Sequence, residues 1–410
     1  MRDALDNPFA PGSDIVPEVW AGRTEQLGDW RDVLRPRLLR GLPERGRTIL
    51  GEPGLGKSSL VRRIAQGAVA EGDWVTPQLR IPSGADPLKL VASAVLELAD
   101  AAGLPSSREK RIEQVLGRVE SVAARGISLT LRDQVGPEPF TALTDLLVEV
   151  GRAAIRQGRV ALVHLDEVQN VTDEHALSQL LIALGDALTH EEVVEVPGGA
   201  RVARSLPIAV YLTGLPDFED RAGAHKGATF ARRFRTTVLA ALDDDDVAAA
   251  LQDFVLPGWP VPDGAGGAGR IRMDADAAAM IVDLCRGEPF LFQLAGERAW
   301  YGGTGATITR EHVLAGWRGA RREATAHVER ILARLPQRER EFVEAMAALP
   351  ADERTLSRIA GELGYPKVTA AGTTAQRLDT VRGIIDRGTR YAFRHRAVEA
   401  YLSGGWPDVA

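Results

Sequence analysis

The feature that most constrains the fold of this chain is the stretch GEPGLGKS at residues 51–58. It follows the short apolar segment TIL and precedes SSLVRRIAQGAVA, whose apolar residues recur at helical spacing. The pattern G-x-x-x-x-G-K-[ST] is met by Gly51, Gly56, Lys57 and Ser58. Only five of the 50 basic residues are lysine, so a lysine at this position is informative. The stretch predicts a strand, a tight loop and a helix.

This order of residues is suited to binding a polyphosphate. Glycines let the backbone approach a ligand closely, and successive amides together with a helix N-terminus attract an anion. Lys57 would reach the β- and γ-phosphates, and the Ser58 hydroxyl would bind Mg²⁺. The candidate nucleotide-binding residues of the loop are Gly51, Glu52, Pro53, Gly54, Leu55, Gly56, Lys57, Ser58 and Ser59.

A second motif, VALVHLDE at residues 160–167, supplies carboxylates at the end of an apolar run. Such a run is typical of a strand buried in a parallel sheet, where ligands bind beyond the carboxyl ends of the strands. Asp166 is the candidate for organising Mg²⁺. Glu167 is the candidate for polarising the attacking water, since hydrolysis needs a base near the γ-phosphate.

With both motifs present, the chain resembles the AAA+/STAND class of P-loop ATPases. More narrowly, it is similar to bacterial ATP-binding proteins related to origin-recognition initiator and transposition-regulator ATPases. The resemblance covers most of the chain and implies an α/β fold with a parallel αβα core, a helical lid and a C-terminal winged helix. It also implies ATP and Mg²⁺ as cofactors. The expected domains are an N-terminal adenine-side arm and helix (1–45), a P-loop core (46–242), a helical lid (243–325) and a winged helix (326–410).

Two segments resemble the elements that flank the adenine in this family. In NPFAPGSDIVPEVWAGRTEQL the matching residues are Val19, Trp20, Gly22 and Arg23. The alternative for this segment is a hydrophobic arm that docks on the core. In CRGEPFLFQLAGERAW, Gly287 and Pro289 resemble the family's Gly-x-Pro element, but a helix N-terminus with proline in its first turn fits the same residues.

The assignment of catalytic residues outside the two motifs depends on the resemblance to this family. Thr213, at the end of the apolar run LPIAVYLTGLP, matches sensor 1 and would orient water or the γ-phosphate; alternatively its hydroxyl caps the following turn. Arg232 and Arg233 match an arginine finger that acts on a neighbouring subunit, with a solvated basic turn as the alternative. No sensor 2 arginine is clear, although Arg286 and Arg298 are candidates.

For three further stretches the sequence predicts secondary structure but no function. Residues 83–157 form a helical insertion with helices at 86–102, 108–124 and 139–157 and a short strand, ISLTLRD, without a catalytic pattern. Asp243 is expected to cap a helix that begins near it. From there to about residue 325 the pattern is helical, apart from a loop predicted at 257–270, PGWPVPDGAGGAGR.

The last eighty residues read as three short helices, the third being TAAGTTAQRLDTVRGII, followed by a strand–turn–strand, DRGTRYAFRH. This is the winged-helix order. Residues 377–396 hold six arginines against two aspartates, which favours double-stranded DNA as a partner. The candidate DNA contacts are Thr373, Thr374, Gln376, Arg377, Arg390 and Arg394. The alternative is a winged helix that packs on its own lid or on a partner protein.

Composition and charge limit the possible partners and cellular compartment of the protein. The net charge of −6 does not favour nucleic-acid binding by the whole surface, and a single cysteine cannot form an internal disulfide. The N-terminus lacks a secretory pattern and no apolar run is long enough for a membrane span, so we expect a cytoplasmic protein.

The sequence leaves three functions open. The first is an ATP-hydrolysing switch that acts on DNA and forms homo-oligomers. The second is a STAND-like signalling or scaffold protein whose nucleotide state controls assembly with partner proteins. The third is a binder without turnover, which the intact Lys57, Asp166 and Glu167 disfavour.

Overall fold

The computed structural model describes residues 2–12, 15–101, 103, 139–195, 199–219, 222, 232–262 and 268–408. The chain divides into two compact units. The first, here the sheet unit, comprises residues 24–50 and 60–237. The second, here the C-terminal unit, comprises residues 1–23, 51–59 and 238–410. Each has its own buried hydrophobic core.

The α-helices, in chain order, are α1 (Thr24–Gly28), α2 (Arg35–Leu39), α3 (Lys57–Ala70), α4 (Pro87–Ala101), α5 (Pro139–Gln157), α6 (Glu174–Thr189), α7 (Asp244–Val255), α8 (Ala275–Cys285), α9 (Pro289–Tyr301), α10 (Arg310–Ala333), α11 (Gln337–Ala348), α12 (Leu356–Glu362), α13 (Thr369–Thr380) and α14 (Arg396–Ser403). A wider helical turn, Asp29–Leu34, joins α1 to α2.

The strands, in chain order, are β1 (Gly46–Leu50), β2 (Trp74–Val75), β3 (Leu79–Arg80), β4 (Ala161–Asp166), β5 (Glu191–Glu195), β6 (Arg201–Ser205), β7 (Ile208–Gly214), β8 (Phe234–Val238), β9 (Trp259–Pro262), β10 (Ala268–Met273), β11 (Thr307–Ile308), β12 (Ile385–Asp386) and β13 (Ala392–Phe393).

The main sheet has the order β2-β4-β7-β1-β8, with β3 also paired to β4. Strand β7 pairs in parallel with β1 on one side and β4 on the other. All residues of β1, β4 and β7 are buried, as expected of strands covered on both faces. The predicted parallel αβα core is confirmed, and the strand that carries Thr213 lies between the strand before the phosphate loop and the carboxylate strand.

Helices α4 and α5 confirm two helices of the predicted insertion within a residue of their expected ends. Both bury their apolar faces in the core of the sheet unit. The predicted helix 108–124 and the strand ISLTLRD lie outside the described residues. An additional hairpin, β5–β6, was not predicted; its strands pair in antiparallel register from Glu191 opposite Ser205 to Glu195 opposite Arg201.

The predicted loop at 257–270 is wrong at residues 259–262 and 268–270, which form strands, and its residues 263–267 lie outside the described residues. Strand β9 pairs in antiparallel register with β10, which also pairs with β11, so most of the described residues of this segment belong to a three-stranded sheet. Trp259 stacks on Phe254 at 4.8 Å between ring centroids, and Val261 and Ile271 are buried. Burial of these side chains outweighs the turn-forming tendency of the prolines and glycines around them.

After residue 309 the C-terminal unit is largely helical. Helix α10 has 24 residues and runs without interruption across the predicted lid boundary at 325. Helices α11 to α13 are followed by the hairpin β12–β13 and by α14, so the expected order of three helices and a hairpin is present. Helix α13 ends at Thr380, earlier than the predicted helix, because Ile385 pairs with Phe393 in the hairpin.

Candidate functional site

The phosphate loop predicted from GEPGLGKS begins directly after β1 and leads into α3, whose first residue is Lys57. Gly54 and Gly56 have φ angles of +89° and +78°, a region that favours glycine. A Cβ at Gly54 would collide with the imidazole of His327. Glycine is therefore required at this position by both backbone conformation and space.

The ammonium group of Lys57 lies within its own loop. Its Nζ donates hydrogen bonds to the backbone carbonyls of Gly51, at 2.8 Å, and Glu52, at 3.0 Å. The side chain is buried. The loop thus combines a positive charge, two glycines in left-handed conformations and a helix N-terminus, the features that bind an anion.

Arg23, in the N-terminal segment, forms a hydrogen bond with the phosphate loop. Its Nη2 donates to the carbonyls of Leu55, at 3.1 Å, and Ala240, at 2.8 Å. Burial lowers the pKa of Arg23 to about 10, against the opposing effect of nearby carboxylates, so the side chain is charged at neutral pH. The segment predicted to lie near the adenine therefore reaches the phosphate loop through Arg23.

The other residues of that segment are held by local bonds. The carbonyl of Val19, which is buried, accepts from the side chain of Gln293 at 2.8 Å. The indole of Trp20 donates to the carbonyl of Gly22 at 2.9 Å.

The first turn of α9 also borders the loop. The N–H of Phe290 donates to the carbonyl of Gly54 at 3.1 Å. Pro289, the first residue of α9, lies 3.7 Å from where a Cβ on Gly56 would stand. The predicted Gly-x-Pro element therefore borders the phosphate loop, and it also starts a helix, as its alternative interpretation proposed.

An ion pair that sequence reasoning missed joins the loop to the end of α10. Arg334 Nη1 donates to Glu52 Oε2. The Glu52 side chain is 3% exposed and that of Arg334 is 27% exposed. The two candidate sensor 2 arginines pair elsewhere, Arg286 with Asp283 at 2.9 Å and Arg298 with Glu323 at 3.2 Å.

A second missed feature is a buried cluster of Glu288, His395 and His327. His395 Nδ1 lies 2.9 Å from Glu288 Oε1, and His327 Nε2 lies 3.8 Å from Glu288 Oε2. Burial would raise the pKa of Glu288, but the histidines outweigh it and lower that pKa to about 2. Burial likewise opposes protonation of His395, but Glu288 prevails and the pKa of His395 is raised.

In the sheet unit, Asp166 is the last residue of β4 and is 1% exposed. Its Oδ1 accepts from the Thr213 hydroxyl and from the backbone N–H of Glu167, the latter at 3.0 Å. Its Oδ2 accepts from the side-chain amide of Gln78, which accepts in turn from Arg62 Nε at 3.1 Å. Asp166 is thus held by β7, by the segment before β3 and, through Gln78, by α3.

Thr213 is fully buried, and its hydroxyl donates a hydrogen bond to Asp166 rather than capping the following turn. The same hydroxyl lies 3.2 Å from His164 Nε2. Burial lowers the pKa of His164 to about 4, which leaves the imidazole neutral at pH 7. A neutral ring beside Thr213 can exchange a hydrogen bond without adding charge next to Asp166.

Glu167 has a left-handed backbone, with φ of 58°. Its Oε2 accepts from the side-chain amide of Gln169. Neither the backbone conformation nor this partner was predicted. This conformation is unfavourable for a non-glycine residue, which makes Glu167 a candidate functional position.

The predicted arginine-finger residues differ in surroundings. Arg233 pairs with Asp186 on α6 and packs against Gly185. Arg232 is exposed.

Most of the predicted DNA contacts lie on α13 and the hairpin. Thr373, Gln376 and Arg390 are exposed, while Thr374 is half-buried. Arg377 donates to Glu339 at 2.9 Å. Other arginines of residues 377–396 are also paired with carboxylates: Arg382 with Glu339, Arg387 with Asp379, Arg394 with Asp379 and Asp386, and Arg396 with Asp244.

The sequence-predicted site residues therefore divide between the two units. Those of the phosphate loop, the N-terminal segment, Pro289 and the predicted DNA contacts belong to the C-terminal unit, and Asp166, Glu167, Thr213, Arg232 and Arg233 belong to the sheet unit. Among the described residues, no group of three His, Cys, Asp or Glu side chains is arranged to hold a metal ion. None of the helices in that same part of the chain combines the length and the apolar character needed to cross a membrane.

Comparison with known proteins bears on the fold. No protein-family model matches the chain, and no curated protein matches it. The chain is similar to the solved structure of a Walker-type ATPase of Pyrococcus abyssi, with a TM-score of 0.52 and 15% identity, over 93% of this chain and 96% of that one. It is also similar to the Aeropyrum pernix ORC2 protein in its ADPNP-ADP complexes, with a TM-score of 0.53 and 16% identity, over 98% and 96% of the two chains. The chain thus has the P-loop αβα fold of the ATPases that its sequence resembles.

Proposed function

We propose that this chain binds ATP with Mg²⁺ and hydrolyses it as a molecular switch. The observation that carries the proposal is the phosphate loop: Gly54 and Gly56 in left-handed conformations, and the buried Lys57 ammonium within the loop at the start of α3. The fold likeness to a protein named as a Walker-type ATPase supports it.

In this proposal the loop amides and Lys57 bind the β- and γ-phosphates. The residues Val19, Trp20, Gly22, Arg23 and Pro289 border the nucleotide on the adenine side. The oxygen donors Ser58 and Asp166 are the ligand types that Mg²⁺ prefers. Bound there, Mg²⁺ would offset phosphate charge.

Glu167 would act as the base. It accepts a proton from the water whose oxygen attacks the γ-phosphorus, while the bond to the β–γ bridging oxygen breaks and yields ADP and inorganic phosphate. Thr213 acts on this step by holding Asp166, to which its hydroxyl donates. Arg232, exposed two residues before β8, is better placed than the paired Arg233 to serve a neighbouring subunit in a homo-oligomer.

Calorimetry with Mg-ATP and a phosphate-release assay test the proposal together. Lys57→Ala should remove measurable binding, because the loop loses its cation. Glu167→Gln should bind ATP as the wild type does and lose turnover by about a hundredfold or more. Lys89→Ala, at an exposed lysine on α4, is the matched control and should change neither quantity. ATP turnover by Glu167→Gln at the wild-type rate would refute the assignment of the base.

We further propose that the segment 326–410 is a winged helix through which the switch acts on double-stranded DNA. The order of α11, α12, α13 and the β12–β13 hairpin supports this, as do the exposed side chains of Gln376, Arg377 and Arg390. Helix α13 would enter the major groove and the hairpin would contact the backbone.

One observation favours the second candidate function, a STAND-like scaffold whose nucleotide state controls protein assembly. The arginines that favoured DNA are largely paired with carboxylates, two of them, Arg377 and Arg382, with the nearly buried Glu339 of α11. Charges neutralised within the chain contribute less to phosphate binding. In this alternative the winged helix has a structural role.

A mobility-shift titration of the full chain on duplex DNA, at two salt concentrations, separates the two candidates. DNA binding predicts an affinity that falls steeply with salt and that is weakened by Arg390→Ala. Arg330→Ala, at an exposed arginine on α10, is the control and should leave the shift unchanged. No shift at low salt, with ATP or without it, favours the scaffold.

A further inference from the structure

The starting observation is the backbone of Glu167. Its φ of 58° places a non-glycine residue in the left-handed region, which costs about 1 kcal/mol. Two hydrogen bonds made by the Glu167 backbone maintain this conformation. Its N–H donates to the side-chain oxygen Asp166 Oδ1 at 3.0 Å, and its carbonyl accepts from the N–H of Asn170 at 2.9 Å.

The side chain of Glu167 is contacted by Gln169, two residues further along. Gln169 Oε1 accepts from the backbone N–H of Leu215 at 3.1 Å, and Gln169 Nε2 donates to Glu167 Oε2. The orientation of the amide follows from its partners, since an N–H requires the oxygen and a carboxylate requires the nitrogen. Both ends of the amide are therefore engaged, and the side chain bridges Glu167 to the segment after β7.

Gly214, the last residue of β7, provides the space for this bridge. A Cβ at Gly214 would stand 3.0 Å from Gln169 Oε1 and 2.9 Å from Val168 Cγ2. Any larger residue there would push the amide away from Leu215. Because Gly214 directly follows Thr213, the strand end that holds Asp166 also holds Gln169.

We propose that Gln169 is a positioning residue that holds the carboxylate of Glu167 in place and ties it to the end of β7. This inference rests on the proposed function, in which Glu167 is the base. Gln169 itself does not touch the reacting atoms. We expect its effect to fall on the chemical step, since its bond to Glu167 is to the base of that step.

The sharpest test is Gln169→Glu, which keeps the size of the side chain and an oxygen for Leu215 but removes the N–H that holds Glu167. We expect kcat for ATP to fall by about ten- to a hundredfold, because a misplaced base loses its geometry, while KM and the calorimetric Kd for Mg-ATP stay within about twofold. Gln169→Leu should likewise lower kcat and leave KM and Kd within about twofold. Gln337→Leu is the matched control, because Gln337 donates to Glu341 at 2.9 Å on the exposed face of α11, and it should change neither kcat nor Kd.

A double-mutant cycle separates positioning from a structural role. In a Glu167→Asp background we expect the shorter carboxylate no longer to reach the amide of Gln169. Adding Gln169→Glu should therefore lower kcat only slightly further. Gly214→Ala, which acts on Gln169 from β7, should lower kcat and be less than additive with Gln169→Glu. Unchanged kcat in Gln169→Glu, or an equal loss in both backgrounds, would overturn the inference. Normal turnover by Glu167→Gln would instead overturn the proposed base.

Discussion

Gly54 shows how a single residue can be constrained twice. Its φ of +89° is unfavourable for any side chain, and the imidazole of His327 occupies the space that a Cβ would need. His327 lies on α10, far along the chain. The glycine spacing of the motif is therefore required by the packing of the C-terminal unit as well as by the ligand chemistry that the motif predicts.

We expect Gly54→Ala to lower the free energy of unfolding by about 1–3 kcal/mol and to weaken Mg-ATP binding, because the loop must shift to admit the methyl group. Urea denaturation and calorimetry measure the two effects. Gly67→Ala is the control: Gly67 lies within α3 with nothing within 4 Å of its Cβ position, so the change should stabilise by about 0.5–1 kcal/mol. A Gly54→Ala protein as stable as the wild type would contradict this account.

At the scale of elements, α10 links several parts of the C-terminal unit. It runs from Arg310 to Ala333 across the expected lid boundary, and the next residue, Arg334, pairs with Glu52 of the phosphate loop. The expected boundary between the lid and the winged helix, at residue 325, falls within this continuous helix. The phosphate loop is thus attached to the helix that leads into the last eighty residues.

Removal of Arg334 would leave the carboxylate of Glu52, which is 3% exposed, without this partner. We expect Arg334→Ala to lower the free energy of unfolding by about 2 kcal/mol, since a buried charge that loses one of its partners is costly. Arg330→Ala, at an exposed arginine in the last turn of the same helix, controls for the loss of a surface arginine. Equal urea midpoints for the two variants would show that the pair contributes nothing.

At the scale of the whole molecule, the two units respond to pH through different buried groups. In the C-terminal unit, Glu288 has a lowered pKa and His395 a raised one. Glu52 and Arg394 also act on His395, and His327 acts on Glu288. In the sheet unit, the pKa of His164 is lowered by burial, so its contribution to stability is lost as the pH falls below 6.5 towards 4.

The Glu288–His395 pair should stabilise the fold most between about pH 4.5 and 6.5. A raised histidine pKa contributes stability that is complete below its unfolded value and is lost as the pH rises through the folded value. A lowered carboxyl pKa contributes stability that is present above its unfolded value and is lost as the pH falls through about 2. We therefore expect His395→Gln to flatten the decline in the unfolding free energy from pH 6.5 to 9.

Urea denaturation across this range measures the effect as a difference between two proteins, so the contribution of His164 cancels. His175→Gln, at an exposed histidine, is the control and should follow the wild-type profile. Parallel profiles for His395→Gln and the wild type would show that the pair does not determine the alkaline slope.

Local patterns in the sequence were sufficient where neighbouring residues decide the conformation. The phosphate loop, the carboxylate strand and the helices α4 and α5 follow from glycine spacing, apolar runs and helical periodicity, whereas the family resemblance implied the place of β7. The β5–β6 hairpin had a similar signal, alternating side chains around PGG, and was missed. The segment 257–270 was misassigned because the burial of Val261 and Ile271 depends on partners elsewhere in the C-terminal unit.

The amino-acid order alone determined that a strand, a glycine-rich turn with a lysine and a helix would form, because those preferences are set by residues adjacent in the chain. Tertiary structure alone decided which groups hold that turn and the acidic strand end. Glu52 and Arg334 are 282 positions apart, and Glu288 and His395 are 107 apart. Charged and histidine side chains at such separations carry no periodic signal, so only the packing that buries them selects their partners.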